Sequence, residues 1–545
     1  MAFVTRHDPE RAATWRAIGQ WTDETLFDCL SRRVATMPDK VAITDGTQRV
    51  TYRELADMVD RMAARFRRLG IGEGDVVGIQ LPNWIEFAPV FFSLERLGAI
   101  AVTVSTDFRL RELEYILRFS DAKAFVSCDT YRGFDHGAMA TELKARVESL
   151  QTLASLRAEP RDGIVALDDV IAAKGPPAGF VPVRQSPDAV MRMAFTSGTT
   201  GNPKGVMHSH NTTLPAARIL SGDIGLGEGD RLMIWLPLGL NWGYLTLVQA
   251  IVDGSTAVLL ERFSARPALA LLASERCTYV PTAPASLTAI LQLPEMPTTD
   301  LSALRLVVSG GASAPVETIR EWRAATPGHF LELYGMLETG FHTFTRATDD
   351  PERVAGSVGT VATAMGLRLL DAEGHDVPHG SEGEISCEGP SVHLGYHNNP
   401  QANADSFTSD GWFRSGDLGF IDGDGNLRIS GRTKEMINRG GKKFFPREVE
   451  EVLYTHPAVL FCAIVGLPDP RLGERNCLCL VPKPGHIAPT LDDINAFLGD
   501  GFATYKKPER LILMEELTFT PTGKIQRHRL VKAILEHDAT TEKSA

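Results

Sequence analysis

Ten consecutive residues, 196–205, read Thr-Ser-Gly-Thr-Thr-Gly-Asn-Pro-Lys-Gly and combine three glycines, four hydroxyl side chains and one lysine. A polyphosphate suits such a set. Gly198, Gly201 and Gly205 let the backbone approach closely. The hydroxyls of Thr196, Ser197, Thr199 and Thr200 can donate hydrogen bonds, and Lys204 supplies positive charge. An apolar, strand-like run ends at Phe195 and feeds directly into the loop. The run is not a Walker A loop, because a glycine follows Lys204 where Ser or Thr would be required. Taken alone, the same residue types also build ordinary surface loops.

Further short polar motifs follow: Tyr334-Gly-Met-Leu-Glu-Thr-Gly, Ser415-Gly-Asp-Leu-Gly, Gly431-Arg-Thr-Lys-Glu-Met-Ile-Asn-Arg-Gly-Gly and Pro521-Thr-Gly-Lys-Ile-Gln-Arg. In this order and spacing, together with 196–205, they resemble the signatures of the adenylate-forming superfamily: acyl-CoA synthetases, firefly luciferase and the adenylation domains of nonribosomal peptide synthetases. The resemblance runs from Val50-Thr-Tyr-Arg-Glu-Leu almost to the end of the chain. It implies an acid–thiol ligase using ATP, Mg²⁺ and coenzyme A. Residues 196–201 and Lys204 would hold the ATP phosphates. Tyr334 would stack on adenine beside Gly335, and Glu338 would hold Mg²⁺, as a hard cation prefers carboxylate oxygen. Ser309-Gly-Gly-Ala-Ser resembles the segment that places Gly311 and Ala312 at the adenine and Gly310, with Met336, at the acyl pocket. Asp417 would accept from the ribose hydroxyls, a use of carboxylate also seen in dinucleotide folds. Arg432 would bind ribose or phosphate, Lys434 would be the hinge pivot, and Gly440 and Gly441 would approach the thiol acceptor. Lys524 would bridge the carboxylate substrate and the α-phosphate.

Two positions depart from the pattern. Leu337 stands where the superfamily usually has a threonine on the α-phosphate, so Thr339 or water would have to substitute. In Trp235-Leu-Pro-Leu-Gly-Leu-Asn-Trp-Gly, Leu240 replaces a usual histidine beside the acyl pocket and Asn241 follows, with Trp242 next. Stand-alone 2-hydroxyaryl-acid adenylating enzymes resemble this chain in carrying Asn there, where its amide can pair with a substrate hydroxyl. Capping of the following helix is an equal alternative for Asn241. The acid expected is compact and cyclic, aromatic or hydroxylated. The acceptor expected is CoA, with Arg439, Lys442, Lys443, Arg471 and Arg475 as candidate phosphate contacts. The alternatives are an aryl-acid adenylating enzyme loading a carrier protein and, in another class, a catalytically inactive nucleotide-binding protein, for which Leu337 is the hint.

The elements that must position these residues alternate. Helices read at 25–37, 55–69 and 84–97 and strands at 41–44, 75–81 and 99–104, and alternation resumes at 231–236, 257–260, 279–280 and 304–309. This predicts an α/β fold with largely parallel sheets. Residues 159–186 read as a surface connection. From about residue 356 short strands between Gly, Asp and Asn predict a small β-rich subdomain. A boundary near 431–434 divides an N-terminal AMP-binding domain, 1–432, from an α+β lid domain, 433–545. There Pro446 opens a helix and 459–465, 477–481 and 510–514 read as strands. The tail after Asp538 reads as frayed.

The 545 residues carry a net charge of −12, which argues against a nucleic-acid partner. Seven scattered cysteines form no disulfide or zinc pattern, and Cys477 and Cys479 read as same-face positions of an apolar strand. No apolar run reaches membrane-spanning length. The expectation is a cytoplasmic monomer or homodimer with small-molecule partners: the carboxylic acid, ATP and CoA.

Overall fold

The computed structural model describes residues 3–6, 8–196, 203–312, 314–432, 435–520 and 523–544. Two mainly parallel sheets dominate the large N-terminal part. In the seven-stranded sheet Val76–Gln80 lies between Ile100–Thr103 and Ala124–Cys128, all parallel and buried on both faces. This burial explains their near-continuous apolar sequence. In the nine-stranded sheet Thr256–Leu259, Arg231–Ile234, Tyr279–Thr282, Leu306–Gly310 and His329–Met336 run parallel in that order.

Helices packed between the sheets bury one continuous apolar core with both of them. Tyr52–Arg68 begins at a capping box in which Thr51 and Glu54 satisfy each other's backbone N–H, and it turns Leu55, Val59, Met62 and Phe66 inward. Leu26–Thr36 uses the same device with Thr25 and Asp28. The polar leader is held down too: Trp21 Nε1 donates to the Pro390 carbonyl at 3.0 Å, and Arg11 Nη1 to the Gly411 carbonyl at 3.0 Å.

The texture change near residue 356 corresponds to a four-stranded antiparallel sheet, Gly366–Leu370, Gly383–Glu388, Phe413–Ile421 and Leu427–Arg432. The small C-terminal domain has apolar cores of its own. They form on a sheet whose long strands Val459–Asp469 and Gly473–Pro482 pair antiparallel, with Arg510–Leu513 alongside. Pro446 is the first residue of the helix Pro446–Leu453, as predicted.

Two expectations need correction. The helix Arg527–Ser544 continues past Asp538, where Arg510 anchors it by an ion pair of 2.6 Å. Within the connection 159–186 the chain also forms the strand Ile164–Ala166 and the helix Asp168–Ala172. All seven cysteines are free and buried, with Cys477 and Cys479 in one core cluster. No described helix is long and apolar enough to cross a membrane.

Candidate active site

Parallel strands leave a crevice at their carboxyl ends, where α/β proteins place ligands. Leu306–Gly310 and His329–Met336 end side by side, bringing Gly311 and Ala312 next to Tyr334 and Gly335. Asp417 and Arg432 come from paired strands of the antiparallel sheet, directly opposite each other in register. Gly523 and Lys524 come from the small domain. All eight line one cavity of about 240 Å³ between the two domains.

Asp417, 3% exposed, ties two cavity-lining residues together. Its Oδ1 lies 2.8 Å from Arg432 Nε, and its Oδ2 accepts from the Tyr334 hydroxyl at 2.8 Å. A carboxylate offers about four acceptor positions, so two vicinal hydroxyls can still be received. The same contacts fix the Tyr334 ring at the cavity wall, where burial beside the Asp417 charge drives its phenol pKa far up and keeps it a neutral donor. Asp417→Ala would remove the carboxylate that both partners share. The expected result is an ATP KM raised on the order of tenfold to hundredfold, with the acid KM little changed, measured by acid-dependent pyrophosphate release.

Lys524 sits in a tight turn in which Thr520 N and Lys524 O bond at 2.7 Å and Lys524 N donates to Thr520 Oγ1 at 2.9 Å. Enclosure, with the field of Arg432 adding to it, lowers its ammonium pKa to about 8. Asp417, Glu338 and Glu435 pull the other way. These couplings mark the groups that Lys524 faces. Gly523 has φ +79°, and a Cβ there would collide with Ala283 of the large domain. The approach of the two domains therefore requires glycine at this point.

The hairpin of Arg192–Phe195 and Gly205–His208 closes the base of the 196–205 loop: Thr196 N donates to Lys204 O and Lys204 N to Thr196 Oγ1, each at 3.1 Å. Ser197, Gly198, Thr199, Thr200 and Gly201 lie outside the described residues. Lys204 Nζ stands 4.5 Å over the Tyr396 ring, whose hydroxyl donates to Glu338 Oε1 at 3.1 Å. Burial raises the Glu338 pKa, against the opposing pull of Tyr396, Arg432 and Lys204. Leu337 packs its side chain against an apolar cluster around Val206 and Phe413, while its carbonyl accepts from His208 Nε2 at 2.8 Å. Thr339 does not replace the missing hydroxyl: it is wholly buried, and its Oγ1 faces the Gly340 carbonyl at 3.5 Å.

Asn241 opens the helix Asn241–Asp253 without capping it, since the cap position belongs to Leu240 and has no side-chain bond. Asn241 Oδ1 accepts from Arg192 Nη1 at 2.9 Å, and its Nδ2 reaches the Met336 carbonyl at 3.4 Å. Trp242 lies against Gly310, where a Cβ would stand 2.9 Å from the ring. Leu240, Asn241, Trp242, Gly310 and Met336 are thus contiguous with the cavity-lining Gly311 and Gly335.

Other expected residues stand apart. Gly440 and Gly441, with φ +60° and +82°, form the two-residue turn between Ile437–Arg439 and Lys442–Phe444 and do not line the cavity. Lys434 lies outside the described residues. Of the basic candidates, Arg439 pairs with Glu509 at 2.7 Å and Arg475 with Asp469 at 2.9 Å, whereas Lys442, Lys443 and Arg471 are exposed. Sequence reasoning missed Tyr396, Arg192 and the small-domain wall formed by Phe445, Arg447 and Arg527. Only Arg192 carried a signal, as a lone cation in the apolar run Val190-Met-Arg-Met-Ala-Phe.

The family model described as AMP-binding enzyme matches residues 30–397, and that described as AMP-binding enzyme C-terminal domain matches residues 448–524. The chain is 32% identical to the medium-chain fatty-acid–CoA ligase of Escherichia coli K12, across 98% of this chain and 95% of that one. It is 33% identical to the 2,3-dihydroxybenzoate–AMP ligase of Bacillus subtilis 168, across 97% of each. An anthranilate–CoA ligase solved with anthranoyl-AMP superposes with a TM-score of 0.85 at 27% identity, covering 94% of this chain and 97% of that one. With its cavity at the strand ends and its two-domain architecture, the chain belongs to the AMP-binding enzymes, the adenylate-forming family that activates carboxylic acids with ATP.

Proposed function

We propose that this protein is an acid–CoA ligase, with the roles of its site residues as set out here. A carboxylate oxygen of the acid attacks the α-phosphorus of ATP, the bond to the β-phosphate oxygen breaks, and pyrophosphate leaves with its electron pair. Negative charge grows on the α-phosphoryl oxygens, so rate comes from positioning and electrostatic stabilisation. The observation that carries this reading is Lys524, held at the cavity where it feels Asp417, Arg432 and Glu338. As an ammonium it would neutralise the α-phosphate and orient the carboxylate. Tyr334, Gly311 and Ala312 would hold the adenine, Asp417 and Arg432 the ribose, and the 196–205 loop with Lys204 the phosphates.

Glu338 suits Mg²⁺: it is a carboxylate bonded to a neutral hydroxyl, and burial disfavours its charge until a cation arrives. No described cluster of three His, Cys, Asp or Glu side chains could hold a metal alone, so the remaining oxygens would come from the phosphates. The ion would supply charge neutralisation. Glu338→Gln should raise the Mg²⁺ concentration for half-maximal pyrophosphate release by roughly tenfold or more; an unchanged Mg²⁺ requirement contradicts the assignment.

Acyl transfer to CoA follows after a domain rotation about Lys434 that withdraws Lys524 and brings in the Gly440–Gly441 turn. The full-length resemblance to CoA ligases supports this acceptor. Asn241, beside the acid pocket, favours a second reading: an aryl-acid adenylating enzyme that loads a carrier protein; the Bacillus subtilis relative is itself named an aryl-acid–AMP ligase. A panel of acids assayed with and without CoA separates them. Acyl-CoA and AMP are expected; acyl-hydroxamate without acyl-CoA would leave the second reading.

A further inference from the structure

Leu427–Arg432 is an edge strand of the four-stranded sheet, so every second backbone carbonyl on it points away from the neighbouring strand. Leu427 O accepts from Val358 N at 2.9 Å. Two residues on, Ile429 O accepts from Arg447 Nη1 at 2.6 Å, a donor that comes from the small domain. Two further on, Phe445 of the small domain lies against Gly431, where a Cβ would collide with the ring. Phe445 and Arg447 thus dock along one edge of the strand that ends in Arg432, the partner of Asp417.

Arg447 suits this contact. It is the second residue of the helix Pro446–Leu453, and its Nε donates to Glu451 Oε1, one turn on, at 2.7 Å. A guanidinium carries five donors in a fixed fork, so Glu451 can hold one arm while another crosses to Ile429. The side chain is 19% exposed and lines the cavity between the domains. Burial drives the Glu332 carboxyl, on the strand of Tyr334, up to about 8, and Arg447 is among the cations that oppose this rise. Ile429 precedes the hinge expected at Lys434 and Arg447 follows it, so rotation there separates them. The Glu451 contact lies within the small domain and survives. A carbonyl handed back to water loses little, which suits a bond that is broken and remade.

We propose that Arg447 is a positioning residue for the first half-reaction. Bridging Glu451 to the Ile429 carbonyl, it latches the small domain onto the strand of Arg432 and so sets how the enzyme divides between acyl-adenylate formation and acyl transfer. The proposal rests on the two-step reading above and assigns one side chain to the balance between the steps. Losing the latch leaves Lys524 chemically intact but less often seated in the cavity.

The test measures each half-reaction of the full-length enzyme separately, with the best acid of the panel. Adenylation is read as acid-dependent pyrophosphate release without CoA, and transfer as acyl-CoA formed from added acyl-adenylate. Wild type is compared with Arg447→Met, Arg447→Lys and Glu451→Gln. Arg447→Met should lower the adenylation kcat roughly tenfold, the loss of one charge-assisted bond, while transfer stays unchanged or rises. Arg447→Lys should recover part of that loss. Glu451→Gln, at a half-exposed side chain, should shift the ratio of the two rates in the same direction by a smaller factor. It keeps the test decisive if Arg447→Met does not fold. Normal adenylation by the variants, or one common factor on both half-reactions, overturns the proposal, the latter because it marks a structural role. If wild type adenylates but makes no acyl-CoA from acyl-adenylate, the inference falls and acid activation stands. If no acid releases pyrophosphate, the acid-activating reading falls and takes the inference with it.

Discussion

Lys524→Ala should lower the rate of acyl-adenylate formation by about 10²–10³-fold, the usual loss when one preorganised charge-stabilising donor is removed. The fold should survive, because Lys524 lies on a turn whose bonds to Thr520 are made by its backbone. Transfer of the acyl group from a preformed acyl-adenylate to CoA should be far less affected, since that step does not use the ammonium. The wild-type enzyme offers a second view of the same group. With its pKa at about 8, Lys524 is charged below that pH and loses its proton above it. Adenylation kcat/KM should therefore fall as pH rises through about 8. Bound phosphate favours the ammonium, so the corresponding limb in kcat should lie at higher pH. Lys524→Arg should remove the limb from kcat/KM, because guanidinium keeps its proton throughout. A kcat/KM profile that is flat through this range, or an alanine variant that adenylates normally, contradicts the role assigned to Lys524.

Gly523→Val should produce a defect of similar size by another route. The Lys524 side chain is untouched, yet a Cβ at position 523 would collide with Ala283 and strain a backbone held at φ +79°. The small domain could then no longer seat Lys524 in the cavity. Ala283→Leu separates steric blockade from strain at the glycine, because Ala283 has ordinary extended backbone geometry. Both variants should lose adenylation yet keep acyl transfer from added acyl-adenylate, and both should melt as cooperatively as wild type. Normal adenylation by either variant would mean that the close approach of Gly523 to Ala283 is not needed for the first half-reaction.

The legible part of the site consisted of short polar motifs inside otherwise apolar chain. Tyr334, Asp417, Arg432 and Lys524 stood out because carboxylate, cation and glycine are costly where a plain strand or turn would do. The fold brings all four to one cavity. Long-range pairing was not legible. Nothing local says that the Tyr334 hydroxyl, 83 positions away, completes Asp417, or that Tyr396 links Lys204 to Glu338. Strand alternation disclosed the parallel sheets because period and length are local properties. The C-terminal helix was underestimated because its anchor, Arg510 on Asp538, is a tertiary contact. Asn241 shows the same limit: capping and substrate pairing were equal alternatives until Arg192 was seen holding its oxygen. Thr339 was a reasonable stand-in for the missing hydroxyl by position, but the strand pairing of Gly335 with Phe341 and of Met336 with Gly340 turns the chain back there and buries it.

The central claim is that a carboxylic acid is joined to the α-phosphate of ATP in the cavity between the domains. It is tested most directly by incubating the enzyme with ATP, Mg²⁺ and an acid panel in the absence of CoA and identifying the nucleotide and phosphate products. Acid-dependent pyrophosphate with enzyme-bound acyl-AMP, lost in Lys524→Ala, is the predicted result. Release of ADP and inorganic phosphate, or pyrophosphate formation that does not depend on the acid, would contradict it.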